Sequence, residues 1–181
     1  MNDLSLHILD VAENSINAGA TLIRITVVED IFRDLLQIEI EDNGKGMTGE
    51  VAARVTDPFY TTRTTRKVGL GLSLLEQAAQ DAGGGLTVGS RENEGTTVSA
   101  TFRHSHIDRK PLGNLADTMT VLIVGKPDID FVFTYRKNDR SYALDTRTVR
   151  RELEGIPLNT PSVAAAIKGE LEAAMEELRD A

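Results

Sequence analysis

At 181 residues, with 40% hydrophobic side chains, the chain can bury one sizeable core and is too apolar to stay disordered. It has no cysteine, which excludes disulfides, thiolate zinc sites, iron–sulfur clusters and cysteine nucleophiles. With 28 acidic and 20 basic residues the net charge is −8, a poor match to nucleic acid or an anionic membrane, so neither is expected as a partner.

The opening, MNDLSLHILD, carries an acid and no basic stretch, unlike a secretion signal. No apolar run reaches the ~18 residues of a membrane span, so a cytoplasmic protein is expected. Asn2 or Asp3 can cap a helix running to about Asn17, with Gly19 past its end. Leu4, Ile8, Val11, Ala12 and Ile16 fall on one side of it. His7, Asp10, Asn14 and Asn17 form a stripe on the other, where His7 is expected to be partly exposed. Residues 22–28 and 35–41 read as strands joined by the acidic link EDIFRD, and the glycine turn DNGKGM follows. A short helix over 49–55 precedes the loop DPFYTTRTTRKVGLG, and a helix over 70–81 stops at Gly83–Gly85. GLTVGSR and TTVSATFR alternate as paired strands across an ENEG turn. The segment HSHIDRKPLG breaks all periodicity and separates a first part, 1–103, from a tail, 104–181. The tail predicts a strand over 121–125, a hairpin over 130–145 and helices over 146–153 and 162–179.

Three constellations carry chemistry. Asp10, Asn14 and Asn17 are spaced four and then three, so they share a helix face. A carboxylate and an amide oxygen one turn apart can face a hydrated Mg²⁺ and an attacking water. Alone, the stripe is also what any solvated helix face shows. In DNGKGM, Asp42 at a strand end can accept from an exocyclic amine such as that of adenine. Gly44 and Gly46 leave room for a flat ring, and Met47 offers an apolar wall. An ordinary Asn-Gly hairpin turn would read the same way, and the segment is not a P-loop. In VGLGLSLLEQAA, Gly69 and Gly71 stand at the mouth of a helix whose backbone N–H groups, through Leu70 and Leu72, can hold an anion. A Rossmann reading fails there, because TTRTTRK is no strand and Leu74 stands where a third glycine is needed. Arg63, Arg66 and Lys67 precede those glycines, and Gly95, Thr96 and Thr97 open the last strand of the first part.

In order, the motifs are D-x-x-E-N-x-x-N-A-G-A, D-N-G-K-G-M, D-P-F-Y-T-T, G-L-G-L-S and G-T-T-V. That series, over residues 4–103, resembles the GHKL superfamily of ATP-binding domains, which groups gyrase, the heat-shock chaperone ATPase, histidine kinases and mismatch-repair ATPases. The first helix is most similar to the mismatch-repair branch and the lid, DPFYTTRTTRKVGLGLSL, to the histidine-kinase branch. The resemblance implies an α+β fold, a Bergerat-type α/β sandwich with a mixed sheet covered by helices on one face, plus a small C-terminal α/β extension. It implies ATP and Mg²⁺ as cofactors, with Asn14 as the metal ligand. Asp10 matches the glutamate general base of hydrolytic members and is one methylene shorter; Asn17 replaces a common aspartate. Asp42 matches the adenine-reading aspartate, and Gly44, Gly46, Met47, Gly69, Leu70, Gly71 and Leu72 match the nucleotide loops. Phe59, Thr61, Thr62 and Lys67 belong to the lid, and Thr96 and Thr97 to the closing strand.

The few residues ahead of the first helix leave no room for a phosphoacceptor hairpin, so a complete histidine kinase is not expected. Topoisomerase and mismatch-repair roles are not expected either. The size resembles stand-alone members such as the anti-sigma serine kinases. There is also a likeness to small ATP-binding proteins that accompany iron-only hydrogenase genes, which implies an accessory or regulatory role. Three functions stay open: an ATP-gated switch with slow hydrolysis, a serine/threonine protein kinase of the anti-sigma type, and a nucleotide-binding module without turnover acting through a protein partner. Residues 60–68 are expected to be held loosely without nucleotide and ordered by ATP. Ordinary packing explains the apolar stripe of the last helix; partner docking or homodimerisation is the alternative.

Overall fold

In the computed structural model, which describes residues 2–55 and 70–179, each element begins where a local signal permits it. Helix α1 (Leu4–Asn17) starts at Asp3, whose carboxylate accepts from the Leu6 N–H at 3.1 Å. Its first free N–H groups, on Leu4 and Ser5, donate at 2.9 Å to the carbonyls of Pro111 and Leu112. The sheet-forming segments are β1 (Leu22–Asp30), β2 (Leu35–Asp42), β3 (Gly85–Arg91), β4 (Gly95–Arg103), β5 (Asp130–Lys137) and β6 (Arg140–Asp145). The remaining helices are α2 (Gly49–Ala52), α3 (Leu70–Asp81), α4 (Leu115–Gly125), α5 (Thr146–Glu152) and α6 (Pro161–Arg179).

The strands form one mixed sheet in the order β3-β4-β2-β1-β5-β6. Every neighbouring pair is antiparallel except β1 with β5, where Ile25 faces Phe133 in parallel register. Alternation sets the faces. Ile23, Ile25 and Val27 of β1, Leu36, Ile38 and Ile40 of β2, and Phe131 and Phe133 of β5 are buried on one side. Helices α3, α1, α4 and α6 pack next to one another over that side and complete a single core. The opposite side, with Arg24, Thr26, Glu39, Glu41, Ser99 and Thr134, is exposed or half-buried. This is the expected α+β architecture, with helices on one face of a mixed sheet. The tail strands do not lie on the open face, which would have been a second place for them. They lengthen the sheet beyond β1.

One tail expectation is overturned. Residues 121–125 are the end of helix α4 and not a strand. Asn114 caps that helix by accepting from the Asp117 N–H at 3.0 Å. Leu115, Ala116, Met119, Leu122 and Ile123 then recur at helical spacing and are buried. A short apolar run is ambiguous by itself, and the cap eleven residues upstream of its end decides the matter.

Candidate nucleotide site

Asp42 ends β2 on the helix-covered face and is only 8% exposed. A buried carboxylate needs donors, and it has two. The Ser15 hydroxyl donates to Oδ2 at 2.7 Å and the Gly44 N–H donates to Oδ1 at 2.8 Å. Ser15 comes from α1, so this pair joins the first helix to the end of β2. Neighbouring bonds fix the turn that follows. Asn43 Oδ1 accepts from the N–H groups of Thr21 and Leu22, each at 2.9 Å. The Lys45 N–H donates to the Ala18 carbonyl at 3.0 Å, and the Lys45 carbonyl accepts from Asn93 N–H at 2.7 Å. The Met47 N–H donates to Ser90 Oγ at 2.8 Å.

Two glycines make this closeness possible. Gly46 has φ +62°, and a Cβ there would fall 1.8 Å from the Arg91 carbonyl oxygen. Gly95 has φ +114°, and its Cβ would fall 1.9 Å from the Asp42 carbonyl oxygen. Thr96, next along β4, is the cross-strand partner of Asp42, and Ser90 on β3 is the partner of Thr96. An open hollow of ≈ 400 Å³ at this end of the sheet is lined by the strand ends and the β3–β4 turn, with Glu41, Arg91, Glu94 and Thr97 as well as Asp42, Ser90 and Thr96, and by no residue of α1 or of the 44–47 turn. Thr97 pairs with Glu41 and so faces the side of the sheet away from the helices.

Asp10 and Asn14 lie along α1 toward its N-terminus, five residues and one residue before Ser15. At 1.5 Å per residue Asp10 is about 7 Å from Ser15 along the axis. Both are half-buried. Asp10 abuts the first turn of α3, where a Cβ on Gly71 would fall 1.6 Å from its Oδ2. Any side chain at residue 71 would push the Asp10 carboxylate away from the mouth of α3. Leu72 buries its side chain in the core, leaving its backbone in that first turn. Asn17 is exposed in the last turn of α1. Phe59, Thr61, Thr62, Lys67 and Gly69, with Arg63 and Arg66, lie outside the described residues, as does the expected ordering of 60–68 by ATP; of Leu70 only the backbone is described.

Magnesium was expected at Asn14. Among the described residues no group of three or more His, Asp or Glu side chains could hold a metal alone. An amide oxygen at Asn14 with a carboxylate one turn away fits an ion that takes most of its oxygens from phosphate and water, as Mg²⁺ does.

The motif series singles out Asp42 and its glycines and passes over Ser15 and Ser90, which hold Asp42 and Met47. The helix periodicity misplaces His7. That side chain is 1% exposed, not partly exposed. Its Nε2 is 3.4 Å from Lys110 Nζ. Burial first, and then the Lys110 charge, push its pKa down to about 4. Lys137, in the tail, lies at the far end of the sheet from Asp42. It pairs in register with Glu29, six residues or about 20 Å along β1 from Ile23, the partner of Asp42. Its Nζ donates to the Arg179 carbonyl at 2.5 Å.

An α/β sandwich with a buried strand-end carboxylate and a glycine turn locked against the first helix defines a class of nucleotide-binding domain. The profile of the family described as histidine kinase-, DNA gyrase B-, and HSP90-like ATPase matches residues 2–106, and the chain belongs to that family. Among curated proteins it is 37% identical over 98 residues to the non-motile and phage-resistance protein of Caulobacter vibrioides. That match covers 51% of this chain and 12% of the relative. It is 30% identical over 102 residues to a putative sensor histidine kinase, NtrY-like, of Rickettsia typhi, covering 56% of this chain and 17% of the relative. The chain thus spans less than a fifth of the length of these relatives. Among solved structures, the Aquifex aeolicus MutL ATPase domain complexed with ADP superposes with a TM-score of 0.52 at 16% identity, covering 85% of this chain and 70% of that one. The N-terminal domain of a DNA repair protein gives 0.56 at 19% identity, covering 80% and 53%. These likenesses show the fold. Among the described residues no helix is long and apolar enough to cross a membrane.

Proposed function

We propose that the chain is an Mg-ATP-binding regulatory protein, an ATP-gated switch with slow hydrolysis whose state is read by a protein partner. The observation that carries this is the buried Asp42 carboxylate, fixed by Ser15 and Gly44 and set beside Thr96. Both of its oxygens accept from the protein and keep further lone pairs, which suits a donor such as the exocyclic amine of adenine. Gly44, Gly46 and Met47 back the ring. Phosphates would run along α1, where Asn14 would hold Mg²⁺ by its amide oxygen and the backbone N–H groups of Gly71 and Leu72 would meet the terminal phosphate. When bound, the metal would neutralise charge on the phosphates. Asp10 takes the proton of the attacking water. In this reading residues 1–103 form the nucleotide-binding unit, residues 104–181 are a small C-terminal extension of it, and the protein works in the cytoplasm.

The test is to incubate the chain with Mg-ATP labelled at the γ-phosphate and to follow both free phosphate and label on protein. The expected result is slow phosphate release, reduced ~10²–10⁴-fold in Asp10→Asn while ATP affinity is nearly kept. Label accumulating on a co-purifying protein would favour the kinase. Equal release from both proteins would remove the base role from Asp10. Absence of ATP binding would sink the proposal.

A further inference from the structure

Ser90 has no part in the motif series, yet its hydroxyl has three polar neighbours beside Asp42. Its Oγ accepts from the Met47 N–H at 2.8 Å. It lies 3.0 Å from the Gly95 carbonyl oxygen and 2.8 Å from Thr96 Oγ1. A serine has one proton to give. If that proton goes to Gly95, Thr96 must donate back to Ser90, and Thr96 can only accept from a ligand. If it goes to Thr96, the chain of donors runs one way: Met47 N–H to Ser90, Ser90 O–H to Thr96, and the Thr96 O–H is left for a ligand. Asp42 and Thr96 face each other across β2 and β4. A ligand edge that pairs a donor amine with an adjacent ring acceptor selects the second arrangement. The 6-amino group and N1 of adenine form such an edge. Guanine offers a carbonyl and a ring N–H there, and its carbonyl would meet a carboxylate whose two oxygens already accept from Ser15 and Gly44.

We infer that Ser90 is a positioning residue for base recognition: it passes the polarity of the Met47 amide to Thr96, so that the Thr96 hydroxyl donates to the ring nitrogen of an adenine held by Asp42. The inference rests on the base site proposed above. Hydrogen bonds in a chain also polarise one another, so the three act as a unit.

Calorimetry of the full chain with ATP and with 1-deaza-ATP, in which a C–H replaces N1, tests it. The wild type should prefer ATP by about tenfold, the worth of one well-made hydrogen bond. In Ser90→Ala that preference should collapse toward one, because the Thr96 hydroxyl is free to turn away. Ser90→Thr keeps a hydroxyl and should restore it. Thr96→Val should abolish the preference, and adding Ser90→Ala to it should change the ratio no further. A Ser90→Ala protein that weakens both nucleotides equally, with the ratio unchanged, would show a merely structural serine and overturn the inference. So would a wild type that binds ATP but treats the two nucleotides alike. A wild type that binds neither fails the proposed function itself, a separate outcome.

Discussion

Asp42 works through its neighbours. Its two oxygens are each engaged by one protein donor, which leaves lone pairs on both for a ligand. Asp42→Asn puts a donor where an acceptor is needed. It should lower ATP affinity about tenfold to a hundredfold, at 1.5–3 kcal/mol for a hydrogen bond to a charged group. Ser15→Ala removes one of the two donors and should also weaken ATP, by about tenfold. Because both changes act on one hydrogen-bonded unit, the double variant should bind no more weakly than Asp42→Asn alone, and calorimetric values that simply add would show that Ser15 acts elsewhere. Asn14→Ala should weaken Mg-ATP far more than ATP in a chelator, and equal losses would remove Asn14 from the metal. Ser15 was legible in principle. It falls four residues after Val11 and seven after Ile8, at the buried spacing of α1, and a polar residue in such a position needs a partner. What the sequence could not supply was which partner, because that depends on how α1 sits across the end of β2. His7 is at the neighbouring position to the buried Ile8, and the width of the apolar stripe at that end of α1 was underestimated.

Local patterning carried most elements. GLTVGSR and TTVSATFR alternate, and they form β3 and β4 with Val88 opposite Val98. The tail hairpin turns at Asn138–Asp139, with Asn138 at φ +51°, and the helix over 70–81 ends at glycines. Element α4 failed because TVLIVG is apolar on every side and short, so neither period shows within it. The helix is visible only when Asn114 and the residues just after it are included. Strand β5 shows how much an element can matter beyond its own signals. Phe133 is fully buried between Ile25 of β1 and Leu144 of β6. Phe133→Ala should cost about 3–5 kcal/mol by lost transfer energy and the cavity left behind. Urea unfolding should show a lower midpoint with an unchanged slope. A loss below about 1 kcal/mol would mean that β5 is not part of the folded core.

At the scale of the whole molecule, the family match ends near residue 106 while the sheet and core do not. Parallel pairing of β5 with β1 requires a crossover, here the strap after β4 and helix α4, and no local pattern in a sequence announces such a long-range pairing. The strap is pinned at several points. Asp34 accepts from the Ser105 hydroxyl and N–H at 2.8 and 2.7 Å and from Arg103 at 3.0 Å, and the Ser105 hydroxyl first, then its amide, hold its carboxyl below the usual range. His104 meets Glu29 at 2.8 Å, and Tyr135 donates to the same carboxylate. Where the strap crosses α1, Lys110 Nζ faces His7 Nε2. An ammonium only donates, so Nε2 must accept, and the imidazole is neutral with its proton on the buried Nδ1.

That arrangement gives folding stability a pH dependence with a definite sign. The folded pKa of His7 is about 4, against 6.5 in an unfolded chain, so between those values the unfolded state binds more protons. Stability is therefore complete above pH 6.5 and falls as pH drops toward 4, by up to about 3 kcal/mol at 1.36 kcal/mol per pH unit. Asp34 and Asp145, whose carboxyls are held low by their donors, lose their contributions only at still more acid pH. Urea midpoints at pH 7.5 and pH 4.5 should thus fall steeply for the wild type. His7→Leu, which has nothing to protonate, should fall less. Parallel losses in the two proteins would mean that His7 takes up its proton without cost in the fold, and that Lys110 is not held against a neutral ring.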